Sequence, residues 1–210
     1  MFTGIVEEKG KIASITQNNQ ALQLKIHGKK VTEDVSVGDS ISVNGVCLTV
    51  TEFASDWFAV DVIPETFRGS SLSKLSSQSE VNLERAMHAN GRFGGHFVSG
   101  HVDAVGTIER TWQEDNAKYY YISVPETRYI TLKGSVAVDG TSLTVFGVDE
   151  KGFTISLIPE TQTATVLGAK KQGDIVNVEF DMLAKYMERL LQTSNQTTGI
   201  TEEKLQQYGF

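Results

Sequence analysis

The chain has 210 residues, 40% of them apolar and 21% charged, enough to bury a full core without a staple or a metal, which excludes a disordered polymer. Its 19 basic residues against 26 acidic ones leave a net charge of −7 with no run of five like charges, so the basic footprint of a nucleic-acid binder is missing. One cysteine, Cys47, excludes an internal disulfide and a cysteine-built zinc cage.

The opening MFTGIVEEKGKI holds two acids and no basic-then-apolar run, so it does not read as a signal peptide, and nothing approaches the roughly 18 apolar residues of a membrane span. The expectation is a soluble cytoplasmic protein with neither membrane nor nucleic acid as partner. Alternating or wholly apolar runs at 2–6, 11–15, 22–26, 40–43, 47–52, 58–62 and 81–83 predict six or seven short strands. Asn44-Gly45 between two of them is the dipeptide of a two-residue type I′ hairpin, because both central residues need positive φ. At 65–75 Ser, Thr and Leu replace the alternation and predict a short helix.

The same elements then recur. IPET at 63–66 returns at 158–161, SISVNGVCLTV at 40–50 returns as SVAVDGTSLTV at 135–145, and VNLE at 81–84 returns as VNVE at 176–179, all displaced by 95 residues. With a one-residue slip, TGIVEEKGKI at 3–12 matches SGHVDAVGTI at 99–108. A shared strand pattern alone would repeat polarity, not letters. Two copies of one domain are expected, 1–92 and 93–181, the second with its own hairpin at Asp139-Gly140 and its own short helix at 160–167. About 90 residues of antiparallel sheet with a long return before the 40–43 strand is most economically a six-stranded Greek-key barrel, since closure removes exposed edges. The fold class is therefore all-β, a tandem pair of similar barrels. A C-terminal helix follows in 182–210, where Asp181 can cap a stripe of Leu183, Tyr186, Met187, Leu190 and Leu191. With no third barrel to cover it, the stripe either packs across the two barrels or meets its copies in an oligomer, and the oligomer contact is the favoured reading. Residues 192–210, mostly polar, with a Leu205 and Tyr208 pair, predict a fraying tail.

Chemistry narrows to few groups. His96 and His101 bracket the glycine-rich GGHFVSGH, but a spacing of five on an extended chain puts them on opposite faces, which argues against a metal site. The nearby glycines lack the GK[ST] of a phosphate loop and read as a domain junction. Between the copies, Leu48 and Thr49 are retained as Leu143 and Thr144, whereas Cys47 becomes Ser142, Ile5 becomes His101 and Asn44 becomes Asp139. Taken singly, Cys47 reads as a small core residue and His101 as a surface histidine. Together, a thiol, a hydroxyl and an imidazole are groups that nucleophilic addition and proton transfer use.

MFTGIVEE, VNGVCLTV, GGHFVSGHVD, VDGTSLTV and the doubled IPET, in this order and period, closely resemble the riboflavin synthase family, alpha type, written as two lumazine-binding repeats; the resemblance runs over residues 1–191. It implies a homotrimer held by the C-terminal helices, no cofactor and no metal, and dismutation of two molecules of 6,7-dimethyl-8-ribityllumazine to riboflavin and 5-amino-6-ribitylamino-uracil. It leaves open whether the trimer is free or enclosed in a lumazine synthase shell, and which barrel holds the donor. The active site would lie between the first barrel of one chain and the second of a neighbour. One lumazine would meet Gly4, Ile5, Val6, Cys47, Leu48, Thr49, Asp61, Val62, Ile63, Pro64, Glu65 and Thr66. The other would meet Gly100, His101, Val102, Ser142, Leu143, Thr144, Ile158, Pro159, Glu160, Thr161, Gln162 and Thr163, with Lys133 reaching in from a partner chain. Implied catalytic groups are Cys47, as nucleophile or orienter of a water, and His101 with Ser142 and Thr144 for proton transfer. Fluorescent antenna proteins that bind lumazine without converting it share the doubled barrel and are the alternative; the presence of both copies of IPET and LTV favours the enzyme.

Overall fold

The computed structural model describes residues 1–18, 21–195 and 202–209. In the first half, β1 (Glu8–Asn18), β2 (Ala21–His27), β3 (Ser40–Val43), β4 (Val46–Ala54), β5 (Trp57–Val62) and β6 (Glu80–Arg85) close into a barrel in the order β1-β2-β5-β4-β3-β6. In the second, β7 (Ala104–Glu114), β8 (Ala117–Ser123), β9 (Ser135–Val138), β10 (Thr141–Val148), β11 (Gly152–Leu157) and β12 (Ile175–Phe180) repeat that circuit strand for strand. All pairings are antiparallel, and the last strand returns to lie between the first and third, which makes each barrel a Greek key. The bulges repeat as well: register shifts between Ile12 and Ser14 and between Val50 and Glu52 reappear between Ile108 and Arg110 and between Val145 and Gly147. Each bulge adds local bend and twist, which short strands need in order to close.

Alternation fills the barrels. Ile12, Leu24, Ile26, Ile41, Val43, Leu48, Val60 and Leu83 form one core, and Ile108, Ile122, Val136, Val138, Leu143, Phe153, Val176 and Val178 the other. Between each fifth strand and the next, the predicted helices divide in two. Helix α1 (Pro64–Arg68) is followed by a 3₁₀ turn at Ser71–Lys74, and α2 (Pro159–Ala164) by one at Val166–Ala169. Proline at the first turn suits a helix start, and Ser70 and Thr165, both extended, separate the two pieces.

The barrels meet through their hairpins. Asn44, Gly45, Asp139 and Gly140 have φ of 47°, 81°, 43° and 77°, the left-handed values that the type I′ turn requires. The two turns abut: a Cβ on Gly45 would stand 2.7 Å from the Gly140 amide nitrogen, and one on Gly140 2.7 Å from that of Gly45. Glycine is thus required here twice over, by φ and by approach. Asn82 and Asn177 brace this seam from both sides. Asn82 donates to the Asp139 carbonyl and accepts from the Val166 amide, and Asn177 donates to the Asn44 carbonyl and accepts from the Ser71 amide.

One expected strand is absent. Residues 2–6 make a single bridge, Phe2 to Val98, because Gly4 turns into positive φ and the Thr3 and Gly4 amides face the Glu84 carboxylate instead of a neighbouring strand. At the other end α3 (Met182–Asn195) is capped as expected, the Asp181 carboxylate accepting from the Leu183 amide at 3.0 Å. Its polar side holds the second barrel through Lys185–Asp103 and Glu188–Arg128, while Leu183, Tyr186, Met187, Leu190 and Leu191 are 56–70% exposed. Of the tail, α4 (Glu202–Gln207) is described, with Leu205 and Tyr208 exposed; 196–201 and 210, over which fraying was also expected, lie outside the described residues.

Candidate active site

Repeated site residues gather on the outer faces of β4 and β10 and at the starts of α1 and α2. Because strand side chains alternate, Cys47 and Thr49 point away from the barrel that Leu48 fills, and Ser142 and Thr144 away from that of Leu143. Leu48, Leu143 and Val62 are core side chains, so only their backbones can face a ligand. Ile63, Pro64 and Glu65, and likewise Ile158, Pro159 and Glu160, are exposed beside them, while Thr66, Thr161 and Gln162 are half-buried. Gln162 donates to the Leu157 carbonyl and Thr163 to that of Pro159, so both buttress α2; Asp61 lies on β5 facing Gln23.

The grouping of these residues differs from the expected one. Residues 99–102 leave the junction between the barrels and cross the first barrel, where the Cys47 amide donates to the Gly100 carbonyl at 2.9 Å. Residues 3–6 cross the second barrel, where the Ser142 amide donates to the Gly4 carbonyl at 2.7 Å. Each strap belongs by sequence to one copy and docks on the other. The approach leaves no room for a side chain: a Cβ on Gly100 would lie 2.5 Å from that of Cys47, and one on Gly4 2.6 Å from that of Ser142. A cleft of about 380 Å³ results on the first barrel, lined by Cys47, Ile63, Glu65, Thr66, Gly100, His101 and Val102. That volume is within the range of small-molecule sites. His101 thus stands with Cys47 and not, within the chain, with Ser142. Ile5 and Val6 continue the strap over the second barrel, Ile5 exposed and Val6 half-buried. Lys133 lies over the Phe146 ring, its ammonium 4.4 Å from the centroid.

Ser142 has a different companion. His96 is 8% exposed, and its Nδ1 lies 2.7 Å from the Ser142 Oγ, while its Nε2 is buried with no partner among the described residues. Burial pushes the imidazole below its usual pKa, against a smaller opposing pull from Asp181, so it is neutral near pH 7. Sequence reading missed this pair because His96 lies outside the blocks that the two copies share, so comparing the copies cannot expose it.

Two further residues were missed although both are written in the repeat. Glu84, in VNLE, accepts from the Thr3 amide and hydroxyl and the Gly4 amide; Glu179, in VNVE, accepts from the Ser99 amide and hydroxyl and the Gly100 and His101 amides. Burial raises the Glu84 pKa, an effect that its hydrogen bonds from Thr3 and Gly4 oppose. A larger cleft of about 870 Å³ lies around the Arg85–Glu7–Asp34 ion pairs and the 86–94 junction. Ile5 lines it together with Thr3 and Glu84, but in the second copy Phe180 stands where Arg85 does, so the ion-paired cleft is not a duplicated site.

Two copies of one Greek-key barrel, each carrying an outward thiol or hydroxyl with a threonine two residues on, beside an IPET helix start, define a class of tandem ligand-binding barrels. Residues 3–86 and 99–181 each match the lumazine binding domain. The chain is 51% identical to the riboflavin synthase of Bacillus subtilis (strain 168) over 215 residues, covering all of both chains. It is 46% identical to that of Mycobacterium tuberculosis (strain ATCC 25618 / H37Rv), covering 92% of this chain and 100% of that one. It belongs to the riboflavin synthase family, enzymes of riboflavin biosynthesis. Among solved structures it is similar to LumP complexed with riboflavin, with a TM-score of 0.78 and 26% identity over 86% of this chain and 99% of that one. LumP complexed with 6,7-dimethyl-8-(1'-D-ribityl) lumazine gives 0.77, also at 26% identity, over 85% and 98%.

Proposed function

We propose that the chain dismutates two molecules of 6,7-dimethyl-8-ribityllumazine, passing a four-carbon unit from one to the other to yield riboflavin and 5-amino-6-ribitylamino-uracil, and that its two crossed sites hold one molecule each. The observation that carries this reading is that both copies keep LTV and IPET yet are chemically unequal: Cys47 with His101 on the first barrel, Ser142 with His96 on the second. A binder needs one working site; a reaction between two copies of one molecule needs two that treat them differently.

Exposed backbone at the IPET turns suits the imide edge of the ring, and Glu65 and Glu160 can accept hydrogen bonds from ribityl hydroxyls. The 7-methyl protons of the lumazine are acidic because the carbanion delocalises into the ring, so a modest base suffices. In this reading Ser142, backed by His96 and flanked by Thr144, handles that proton, while Cys47, or a water it orients, adds to the acceptor ring with His101 beside it. Most of the barrier falls through positioning, since holding two rings in register is worth up to about 7–11 kcal/mol. A single base contributes about 10²- to 10⁴-fold.

The outward apolar stripe of α3 supports a homotrimer built on that helix, with each active site formed by the first barrel of one chain and the second of its neighbour. No helix among the described residues is long and apolar enough to cross a membrane; we place the enzyme in the cytoplasm, with no nucleic-acid partner, free or within a lumazine synthase shell. The test is to incubate the purified protein with the lumazine and no added cofactor. Riboflavin equal to half the lumazine consumed is the expected result; lumazine that binds, fluoresces and persists would overturn the enzyme reading in favour of an antenna protein.

A further inference from the structure

We infer that Glu84 and Glu179 are positioning residues whose effects cross between the barrels: Glu179, on the second barrel, sets the geometry of the Cys47 site on the first, and Glu84, on the first, sets that of the Ser142 site on the second. The inference rests on the two-site reading above.

Both carboxylates are almost wholly buried, 5% and 3% exposed, and neither faces a basic side chain in its hydrogen bonding. Their partners are successive backbone amides and one hydroxyl, the arrangement in which a chain wraps an anion. Glu179 Oε1 accepts from the Ser99 amide at 2.6 Å and its hydroxyl at 2.7 Å, and Oε2 accepts from the Gly100 and His101 amides at 2.9 and 3.1 Å. With those amides turned inward, the Gly100 carbonyl points the other way, onto the Cys47 amide, and His101 and Val102 are carried to the cleft wall. Glu84 repeats the device on Thr3 and Gly4, and the Gly4 carbonyl receives the Ser142 amide. Neither strap is held by a sheet ladder; Phe2 and Val98 form one isolated bridge between them. The carboxylates thus add four and three hydrogen bonds to the few backbone contacts, Phe2 with Val98 and His96 with Thr3, that otherwise hold the straps. A glutamine in either place would present an NH₂ group to donors that now meet an oxygen, leaving a buried amide unpaired.

Cys47 is the only cysteine, so its reaction with a small aromatic disulfide reports the first site alone and requires no substrate turnover. In Glu179→Gln we expect the Cys47 rate to rise at least about fivefold as the strap opens locally, with KM for the lumazine raised more than kcat is lowered. In Glu84→Gln we expect the Cys47 rate to stay within about twofold of the parent while kcat/KM falls. Equal acceleration in both variants, or none in Glu179→Gln, would overturn the crossed assignment. Should Glu179→Gln not fold, Ser99→Ala removes one of its four bonds and must still accelerate Cys47 by more than Glu84→Gln does, or the inference fails. Because the thiol rate is read without catalysis, it stands apart from whether the protein makes riboflavin.

Discussion

At the scale of single residues, position 47/142 carries the difference between the two sites. A thiol and a hydroxyl occupy the same place on the equivalent strands β4 and β10, but only the hydroxyl is hydrogen-bonded to a histidine among the described residues. If Ser142 and His96 act as one unit, Ser142→Ala lowers kcat by about 10²-fold or more. The double variant with His96→Gln is then scarcely worse than either single one, because residues acting together are not additive. The lowered His96 pKa has a pH signature. The folded protein keeps the ring neutral where an unfolded imidazole, with pKa about 6.5, has begun to protonate; the stability this gives is present above that value and lost as pH falls through the folded one. Turnover should fall along the same acid limb in the parent, and the limb should be absent from the residual activity of His96→Gln. Cys47→Ser with unchanged turnover would remove the nucleophile role.

At the scale of elements, glycine and the buried seam can be tested separately. Gly38 and Gly45 both have positive φ, but a Cβ on Gly38 meets nothing within 4 Å whereas one on Gly45 meets the other hairpin. Alanine at 38 should therefore cost about 1 kcal/mol, the strain alone, and alanine at 45 clearly more, read from denaturant midpoints at equal m. The seam is also unequal. Asp139 is buried, and burial raises its pKa against the pull of Lys170, 3.2 Å away, whereas the first copy has Asn44 and Leu75 at the matching places. Asp139→Asn leaves the Lys170 ammonium with the Ile175 carbonyl but no counter-charge, and adding Lys170→Leu, which rebuilds the first copy's pair, should recover stability, with a coupling of about 0.5–3 kcal/mol.

Strands, hairpins and the capped helix were legible because each is a local pattern: period-2 alternation, an N-G or D-G dipeptide, an Asp before an i, i+3, i+4 stripe. The barrel circuit was legible because the long return and the duplication left few closures. What sequence could not reveal was the exchange of straps. The matched blocks say that 3–6 and 99–102 are equivalent, not which barrel each one crosses, and the expected grouping placed each strap with its own copy. That choice is made in three dimensions by Gly4 and Gly100, by the abutting hairpins, and by two glutamates that read in sequence as ordinary strand ends.

For the whole molecule, α3 is inside out: charged residues grip its own barrel and apolar ones face outward. A stripe of five large side chains at 56–70% exposure is the contact on which the proposed homotrimer rests. On that proposal Leu190→Glu should give smaller species than the parent in sedimentation while leaving the barrel signal in circular dichroism intact, and turnover should fall with them. The same assembly gives the most direct test of two unequal sites serving one reaction. Chains carrying Cys47→Ala with His101→Ala are co-assembled with chains carrying Ser142→Ala with His96→Ala, and riboflavin formation is measured on trimers whose mixed composition is verified by mass. The account predicts that each parent trimer is nearly inactive and that mixed trimers regain activity, because an intact first barrel then faces an intact second barrel across a chain boundary. Mixed trimers as inactive as their parents would contradict it.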